Sequence, residues 1–470
     1  MNPIKTKIIA TIGPSTNSFS MLKKMHANGV DVVRLNMSHA THEDALLIID
    51  HVNKLNKDQS DKYGPLGILL DTQGPEIRTG VSNKDIDLKV GDIVNLTIRD
   101  DVDVETSSIK INYKGLIKSV SKGSKITIDN GLMNFKVLAK DKENLRCRVL
   151  DGGTLGSKRH VDLPGVRVDL PSITKKDKKD ITFAIKNNIP FIALSFVRSP
   201  SDVTELRTIL KRKKSTAKII AKIENQEGLD NIHDITKAAD IIMVARGDLG
   251  IETNLADLPN IQRRIMYSTA KWGKRSIVAT HLLESMISHP TPTRAEVTDV
   301  ANAIYEGADA VMLSGETSVG KYPLKCLQML RNIANKTEQY RTLGYEEHLT
   351  VNSDWQNIAL GARDLAERIK ADGILIITRS GQTADVISNT KPFRMPIYAF
   401  TNNQETYLHL SLIGGIQAKF IKSISNQAQT ILKIKAELHK TIKPSKNLKF
   451  VLISGLYSES HTDSIQVIKI

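Results

Sequence analysis

The chain has 470 residues, with 66 basic and 51 acidic side chains and a formal net charge of +15. At roughly 100 to 200 residues per domain, this length predicts two to four domains. Cys147 and Cys326 are the only cysteines, too few for a disulfide framework or a cysteine-based metal site. No apolar run approaches the roughly 18 residues of a membrane helix, and the first residues hold only a short apolar run, too short for the core of a signal peptide. We therefore expect a cytoplasmic protein with no membrane partner.

The excess of positive charge is compatible with a lysine-rich surface, with nucleic-acid binding or with an anionic substrate. The basic runs Lys175 to Lys179 and Lys211 to Lys214 lie in helix-like stretches without interleaved aromatic residues. They therefore lack the stacking platforms of a single-strand binder, and we expect no nucleic-acid partner. The charge alone does not choose between the other two possibilities.

Eight short apolar runs rich in β-branched residues alternate with helix-like segments over the first 320 residues, outside one interval. The runs are "TKIIATIG" from Thr6, "VDVVRLN" from Val30, "LGILLD" from Leu66, "PFIALSF" from Pro190, "AKIIAKIE" from Ala217, "ADIIMVARGD" from Ala239, "RSIVAT" from Arg275 and "ADAVMLSGE" from Ala308. Nearly continuous apolar strands between amphipathic helices are typical of parallel strands covered on the outside. Eight of them predict an α/β fold, a (β/α)₈ barrel with its active site at the carboxyl ends of the strands.

The residues that start and end helices are found between the eight predicted strands, as this fold requires. Thr293 and Glu296 match a capping box, and Ser199 before Pro200 is typical of an N-cap followed by a first-turn proline. Glycines that can end helices lie at Gly29, Gly273 and Gly307.

The interval after the third run loses helical periodicity and is rich in Gly, Asp and Thr between short alternating runs. This pattern predicts a β-rich module, which on the catalytic face of a barrel can act as a lid. After about residue 345 a long helical stretch, "DWQNIALGARDLAERIK", precedes "GILIITRSG", "MPIYAFT" and "KFVLISG", a second α/β unit. We expect residues 1–74 and 171–345 to form the barrel, residues 75–170 an inserted β-barrel lid domain, and residues 346–470 a C-terminal α/β regulatory domain.

Polar side chains follow most of the predicted barrel strands. They are Arg34, Asn36, Ser38 and His39 after the second strand, Asp71 and Thr72 after the third, Lys222 and Glu224 at the fifth, Arg246 and Asp248 at the sixth, Thr280 at the seventh, and Ser314 and Glu316 at the eighth. In a closed barrel these ends converge on one mouth. The mixture of cations, carboxylates and hydroxyls suits an anionic substrate bridged by Mg²⁺, which favours one or two carboxylates plus substrate oxygens.

The "KIE" sequence at the fifth strand is the most informative of these ends. Lys222 and Glu224 are two residues apart and so lie on the same side of the strand. A lysine beside a metal-binding carboxylate can neutralise a phosphoryl group during its transfer. On its own such a pair is as often a solvated ion pair, but polar groups at successive strand ends favour a site.

One stretch resembles a Walker phosphate-binding loop but departs from it at the last position. "GETSVGKY", Gly315 to Tyr322, fits G-x-x-x-x-G-K, but Tyr322 stands where a Walker loop needs Ser or Thr for the metal. The chain also lacks GxGxxG and HExxH, so dinucleotide-binding and zinc-protease interpretations have no support.

At these residues the sequence resembles the pyruvate kinase family over nearly its whole length. The matching stretches include "TKIIATIGPST", "VVRLNMSHA", "LLDTQGPEIRTG", "AKIENQEGLDNI", "MVARGDLGIE" and "PTRAEVTDVANAIYEGADAVMLSGET", in the order of the family. The resemblance implies transfer of the phosphoryl group of phosphoenolpyruvate to ADP, which gives pyruvate and ATP. It also implies Mg²⁺ or Mn²⁺ and K⁺ as cofactors, and a homotetramer.

The resemblance also implies residue roles. Lys222 would bridge the transferring phosphoryl group and stabilise the enolate, and Glu224 and Asp248 would hold Mg²⁺. The backbone of Gly247 and the side chain of Thr280 would position the substrate carboxylate, with Arg34 on its phosphate. Further roles are K⁺ binding by Asn36, Ser38, Asp71 and Thr72, nucleotide binding by Asn36, His39, Arg78 and Lys176, and a water-mediated proton route through Thr280, Ser314 and Glu316.

Some positions depart from the family pattern or remain open. Gln73 stands where the family usually has lysine, and His281 where glutamine is common. Glu76 matches the glutamate that accompanies K⁺ dependence in this family, where a lysine accompanies independence. The "TRSGQT" loop, with Thr378, Ser380 and Thr383, resembles the loop that holds an effector phosphate, but the stretch from Ser454 onward lacks the Arg or Trp features of sugar-bisphosphate control.

Two alternatives remain at this stage. A metal-dependent aldolase of the pyruvate group can share a "KIE" strand end and a downstream aspartate, although the inserted β module and the "RLNMSH" and "DTQGPEIR" sequences argue against it. A basic RNA-binding protein is suggested only by the charge and would bind RNA with a steep salt dependence.

Overall fold

The computed structural model describes residues 4–82, 84–99, 108–424, 427–441, 448–454 and 464–470. The chain begins with three parallel strands and two helices. These are β1 Lys7–Thr11, α1 Phe19–Ala27, β2 Val32–Asn36, α2 His42–Tyr63 and β3 Gly67–Asp71.

A β-rich insert follows β3 and has its own apolar core, which includes Leu96, Phe135 and Leu145. Its elements are β4 Ile86–Leu88, β5 Ile93–Thr97, β6 Ser108–Lys110, α3 Leu116–Ser119, β7 Lys125–Ile128, β8 Met133–Lys140, β9 Asn144–Asp151, β10 Gly153–Leu155 and β11 Val161–Asp162. Six of its strands form a curled sheet in the order β11-β7-β8-β9-β5-β6, and β10 pairs with β4. Buried and exposed residues alternate along β8 and β9, as expected for strands with one face on a core.

The chain then returns to the barrel. This part consists of α4 Lys175–Lys186, β12 Phe191–Leu194, α5 Pro200–Arg212, β13 Lys218–Ile223, α6 Gln226–Asp230, α7 Ile232–Ala238, β14 Ile241–Ala245, α8 Arg246–Glu252, α9 Leu258–Lys271, β15 Arg275–Ala279, α10 Arg294–Tyr305, β16 Ala310–Leu313, α11 Gly315–Ser318 and α12 Pro323–Thr337. Short 3₁₀ segments lie at Leu255–Asp257, Glu284–Ile287 and Tyr345–His348.

The eight parallel strands close into a barrel in the order β1-β16-β15-β14-β13-β12-β3-β2, which confirms the prediction from the apolar runs. Every residue of β1, β3, β14 and β15 is buried, since each of these strands packs on the barrel interior with one face and on helices with the other. The predicted helix signals are also present. Thr293 and Glu296 form a capping box, Pro200 occupies the first turn of α5, and the glycines after α1, α9 and α10 have positive φ.

The C-terminal unit is a separate α/β domain. It contains α13 Asp354–Arg368, β17 Gly373–Ile377, α14 Gln382–Asn389, β18 Ile397–Thr401, α15 Gln404–His409, a 3₁₀ segment Leu410–Leu412, β19 Ile416–Phe420, α16 Gln427–Thr441, β20 Lys449–Ser454 and β21 Ser464–Lys469. Its sheet order is β19-β18-β17-β20-β21, with β21 antiparallel to β20. The strands β19 and β21 were not predicted from the sequence. Within the described ranges, no helix is both long and apolar enough to cross a membrane.

Candidate active site

A cleft of about 490 Å³ lies between the carboxyl ends of the barrel strands and the insert. Charged side chains from both sides line it. The barrel contributes Arg34, Lys222, Glu224 and Asp248, and the insert contributes Lys158 and Arg159. The cleft therefore lies where polar strand ends were expected to converge.

Lys222 lies at the centre of a buried charge network. Its Nζ is 2.9 Å from Oε1 of Glu224 and 3.1 Å from Oδ1 of Asp71, and it donates a 2.8 Å hydrogen bond to the hydroxyl of Ser195. Burial disfavours the charged amine, but the carboxylates of Asp71 and Glu224 raise the pKa of Lys222 above its ordinary value. The ammonium is thus held charged and fixed at the mouth of the barrel.

Asp71 joins Lys222 to Arg34. The Nε and Nη2 atoms of Arg34 lie 2.8 and 2.7 Å from Oδ2 of Asp71, and its Nη1 bonds the hydroxyl of Thr11 at 3.0 Å. Burial alone would favour the neutral acid, but the cations of Lys222 and Arg34 hold the pKa of the Asp71 carboxyl below its usual range. One carboxylate therefore orients two cations toward the cleft.

Glu224, which is buried, and Asp248, which is half-buried, present two carboxyl groups at neighbouring strand ends. Burial raises the pKa of Glu224 to about 7 and also raises the pKa of Asp248, while the cation of Lys222 opposes both shifts. Glu224 also accepts a 2.6 Å hydrogen bond from the backbone N–H of Phe196. Two carboxyl groups whose pKa values are both raised can ionise together when a divalent cation binds between them, so the donor set fits Mg²⁺.

The strand end at Thr280 has an unusual backbone. Thr280 and His281 have φ values of 66° and 53°, in the left-handed region that β-branched residues rarely adopt. The hydroxyl of Thr280 accepts a 2.8 Å hydrogen bond from the N–H of Gly247, and Arg246 donates a 2.6 Å bond from Nη2 to the carbonyl of Thr280. These bonds fix Thr280 beside Gly247.

The comparisons with known proteins agree with this geometry. Residues 4–327 match the family model of the pyruvate kinase barrel domain, and residues 356–468 match that of the pyruvate kinase alpha/beta domain. The chain belongs to the pyruvate kinase family. Both the aldolase and the RNA-binding interpretations are therefore set aside.

Alignments with two named relatives cover most of the chain. It is 38% identical over 482 residues to the chloroplastic pyruvate kinase isozyme G of Nicotiana tabacum, an alignment that covers 100% of this chain and 84% of the relative. It is 43% identical over 420 residues to a pyruvate kinase of Staphylococcus aureus strain MRSA252, covering 88% of this chain and 71% of the relative.

The remaining residues predicted from the pyruvate kinase resemblance lie in three settings. Asn36, Ser38, His39 and Arg78 line the cleft, while Asp71 and Thr72 are buried beneath it. Lys176 is not among the lining residues in the described part of the chain, and its Nζ bonds the carbonyl of Met37 at 2.5 Å and Asp180 at 2.8 Å. Glu316 is fully buried and accepts backbone bonds from Leu283 and Ser314.

The loop predicted to hold an effector lies in the C-terminal domain. Thr378 directly follows β17, and its hydroxyl accepts a 2.9 Å hydrogen bond from the N–H of Gly381. Gly381 is the N-cap of α14 and has a φ of 88°. Ser380 is exposed and Thr383 lies in the first turn of α14. Of the C-terminal stretch considered for sugar-bisphosphate control, residues 455–463 lie outside the described residues.

Several residues at the pyruvate kinase cleft were missed by the sequence reasoning. Ser195 follows β12, accepts the bond from Lys222 and donates a 2.7 Å bond to the carbonyl of Thr72. The sequence did contain a signal, because Ser195 is the one polar residue of the fourth apolar run and lies next to the last residue of that run, Phe196. Asp129, Asn130, Ser157, Lys158, Arg159 and His160 of the insert also line the cleft. No strand-end rule identifies them, since their approach depends on how the insert folds.

Proposed function

We propose that the chain catalyses phosphoryl transfer from phosphoenolpyruvate to ADP, giving pyruvate and ATP in the last step of glycolysis. The observation that carries this proposal is the ammonium of Lys222, which lies between the carboxylates of Asp71 and Glu224 at the mouth of the barrel. A charged group fixed in this way needs no reorganisation when negative charge develops beside it.

Lys222 and Arg34 supply the positive charge that two anionic substrates need in order to meet. Both side chains line the cleft and both are held by Asp71. Phosphoenolpyruvate and ADP repel each other, so fixed cations at their meeting point lower the cost of bringing the reacting oxygen close to the phosphorus. Lys222 then stabilises the enolate that remains after transfer.

Glu224 and Asp248 are the residues that would hold Mg²⁺ or Mn²⁺. Among the described residues no group of three or more His, Cys, Asp or Glu side chains is placed to hold a metal. A site with two carboxylates leaves further coordination positions for substrate oxygens, the arrangement that Mg²⁺ tolerates best. When bound, the metal would neutralise charge on the phosphoryl oxygens.

Asn36, Ser38, Asp71 and Thr72 are the proposed K⁺ ligands. Oδ1 of Asn36 accepts the N–H of Ser38 at 3.2 Å, and the hydroxyl of Thr72 bonds the carbonyl of Ala193 at 3.1 Å. These oxygens lie at two adjacent strand ends, since β2 pairs with β3 and Asn36 is opposite Asp71. All four residues therefore offer oxygen atoms that could bind K⁺ on the same side of the barrel mouth.

Thr280 and Gly247 are proposed to position the substrate carboxylate. The N–H of Gly247 and the hydroxyl of Thr280 already face each other at 2.8 Å, and a carboxylate oxygen could receive both donors by replacing that bond. The enolate must then take up a proton. Thr280, Ser314 and Glu316 remain the proposed route, and Ser314 has a buried hydroxyl without a partner in the described part of the chain.

Asn36, His39, Arg78 and Lys176 are proposed to contact the nucleotide. Arg78 stands between barrel and insert, where its Nη1 bonds the carbonyl of Lys158 at 2.9 Å and its guanidinium pairs with Glu76 at 2.7 Å. Arg78 already lines the cleft, and closure of the insert would bring its guanidinium closer to a bound nucleotide. The homotetramer and an effector bound near Thr378, Ser380 and Thr383 are further proposals from the family resemblance. A cytoplasmic location is a proposal from the composition of the chain.

A coupled assay with phosphoenolpyruvate, ADP and Mg²⁺, run with and without K⁺, tests the proposed reaction. We expect ATP and pyruvate to form in equal amounts, because one phosphoryl group moves for each enolate released. Absence of ATP under every one of these conditions would overturn the proposal.

A further inference from the structure

A second groove of about 370 Å³ lies between the exit of the insert and the barrel. His160 and Phe196 line both this groove and the catalytic cleft, so they stand between the two cavities. The apolar part of the wall includes Ile77, Leu163 and Val166. The groove is separate from the residues assigned to phosphoryl transfer.

Asp162 is the unusual residue of this groove. It is 3% exposed, and its Oδ1 lies 3.4 Å from Nδ1 of His160. Its other oxygen, Oδ2, is buried without a hydrogen-bond partner in the part of the chain that the structure describes. A buried carboxyl oxygen without a partner is costly, so the site is incomplete on its own.

The surroundings of Asp162 add negative potential. Burial, together with the nearby carboxylates of Glu252, Asp248 and Glu76, raises the pKa of Asp162 to about 8. Burial also raises the pKa of Glu252 to about 7 and lowers the pKa of His160, so the imidazole supplies little positive charge at neutral pH.

The charged and titratable lining contains more carboxyl groups than guanidiniums. The carboxyl groups belong to Asp162, Glu227, Asp230 and Glu252, and the guanidiniums to Arg167 and Arg198. Arg198 is already engaged with the carbonyls of Val168 and Leu170, and the exposed side chain of Arg167 pairs with Glu227 at 3.6 Å. Among the described ion pairs this leaves Asp162, the half-buried Glu252 and the exposed Asp230 as the lining carboxyl groups that no guanidinium pairs with. At neutral pH Asp162 largely and Glu252 partly hold a proton, and a cation bound beside them is favoured because it lets both groups ionise. The anionic substrates of the cleft gain no such stabilisation here.

We propose that this groove binds a small organic cation, an ammonium or guanidinium group on a short apolar body, with Asp162 and Glu252 as its anionic partners. The unpartnered oxygen of Asp162 would accept from the cationic N–H, and the apolar body would pack on Ile77, Leu163 and Val166. An organic cation fits this groove better than a metal ion does, because the apolar part of the wall can pack on a carbon body.

Calorimetric titration of the full-length protein with butylguanidinium tests this directly. We expect saturable binding, with butylurea, which has a similar shape but no charge, binding at least about tenfold more weakly because it forms no ion pair. Asp162→Asn should weaken butylguanidinium binding by about tenfold or more, whereas Asp85→Asn, at an exposed carboxylate of the same insert, should leave it unchanged. Phosphoenolpyruvate and Mg²⁺ should not displace the probe.

The possible contrary results are distinct. Absence of saturable binding, equal affinity for butylurea, or full affinity in Asp162→Asn would overturn the proposal. Displacement by phosphoenolpyruvate would show that the probe binds in the catalytic cleft. Displacement by Mg²⁺ would show that the carboxylates bind a metal. Either result would overturn the proposal. If Asp162→Asn does not fold, Glu252→Gln provides the second variant and should also weaken binding. The titration requires no turnover, so its outcome is independent of the proposed reaction.

Discussion

Arg246 donates a 2.6 Å hydrogen bond to the carbonyl of Thr280, a residue whose backbone lies in the left-handed region. The other end of the same guanidinium is held by Asp299 at 2.7 Å. A β-branched residue in such a conformation costs of order 1–3 kcal/mol, which the surrounding structure must offset. Asp299, Arg246 and Thr280 thus form a chain of contacts that ends at the proposed substrate carboxylate site.

Asp299→Asn is expected to lower kcat through this chain. The neutral amide would hold Arg246 less firmly, and the Thr280 turn would relax, so kcat should fall by about tenfold while the KM for ADP changes little. Steady-state kinetics with both substrates varied would measure the two effects separately. Asp50→Asn, at an exposed position of α2, is the control, and an unchanged kcat in Asp299→Asn would contradict the assigned positioning role.

Lys222→Met should abolish most phosphoryl transfer while the fold survives. Asp71 keeps its contact with Arg34 and Glu224 keeps the N–H of Phe196, so neither carboxylate loses every partner. We expect kcat to fall by about a thousandfold or more, since the fixed charge that stabilises the transition state is removed. Mn²⁺ binding, followed by electron paramagnetic resonance, should be largely retained. Lys178→Met, on the exposed face of α4, is the matched control, and substantial turnover in Lys222→Met would refute its role.

Activity is expected to require K⁺, and Glu76 should control this requirement. The Glu76 carboxylate accepts from Gln73 at 3.0 Å and from Arg78 at 2.7 Å, so it is fixed at the edge of the cleft. Replacement of K⁺ by tetramethylammonium should lower activity by about tenfold or more, and Glu76→Lys should reduce that loss because a fixed ammonium supplies the missing charge. Glu76→Gln separates loss of the carboxylate from gain of a cation. Equal activity of the unmodified chain in both salts would contradict the prediction.

Stability in mild acid should depend on His409. Burial lowers the pKa of this residue from 6.5 to about 4, and its ring packs edge-on against Phe191 with centroids 5.9 Å apart. Between pH 6.5 and 4 the unfolded chain therefore binds a proton that the folded chain excludes, so the free energy of unfolding falls as the pH is lowered through this window. The loss should reach at most about 3 kcal/mol.

Urea unfolding of His409→Gln at several pH values measures this contribution. The variant should lose less stability than the unmodified chain as the pH falls from 6.5 toward 4, because a glutamine does not titrate. His439→Gln changes an exposed histidine of α16 and should follow the unmodified chain. Parallel acid sensitivity in His409→Gln and the unmodified chain would show that other groups dominate.

The barrel was predictable because its strands are buried on both faces. Ile241–Ala245, for example, is apolar throughout and buried throughout, so its composition identifies it without any knowledge of its neighbours. The C-terminal strands β19 and β21 were missed because Ile416–Phe420 includes Gln417 and Lys419 and β21 is an edge strand with exposed residues. Whether an edge strand or a strand with one exposed face forms depends on the elements that pack against it. The local sequence pattern contains no information on those distant elements.

The sequence by itself determined the number of barrel strands, the order of their polar ends and the placement of Lys222 and Glu224 on the same side of the chain, because periodicity and spacing are local properties. Only the tertiary structure decided which distant groups meet. It brought Ser195 to Lys222 and placed the insert residues Lys158 and Arg159 on the cleft. It also buried Asp162 with one oxygen unpartnered, since burial and hydrogen bonding across long separations follow from packing rather than from local sequence.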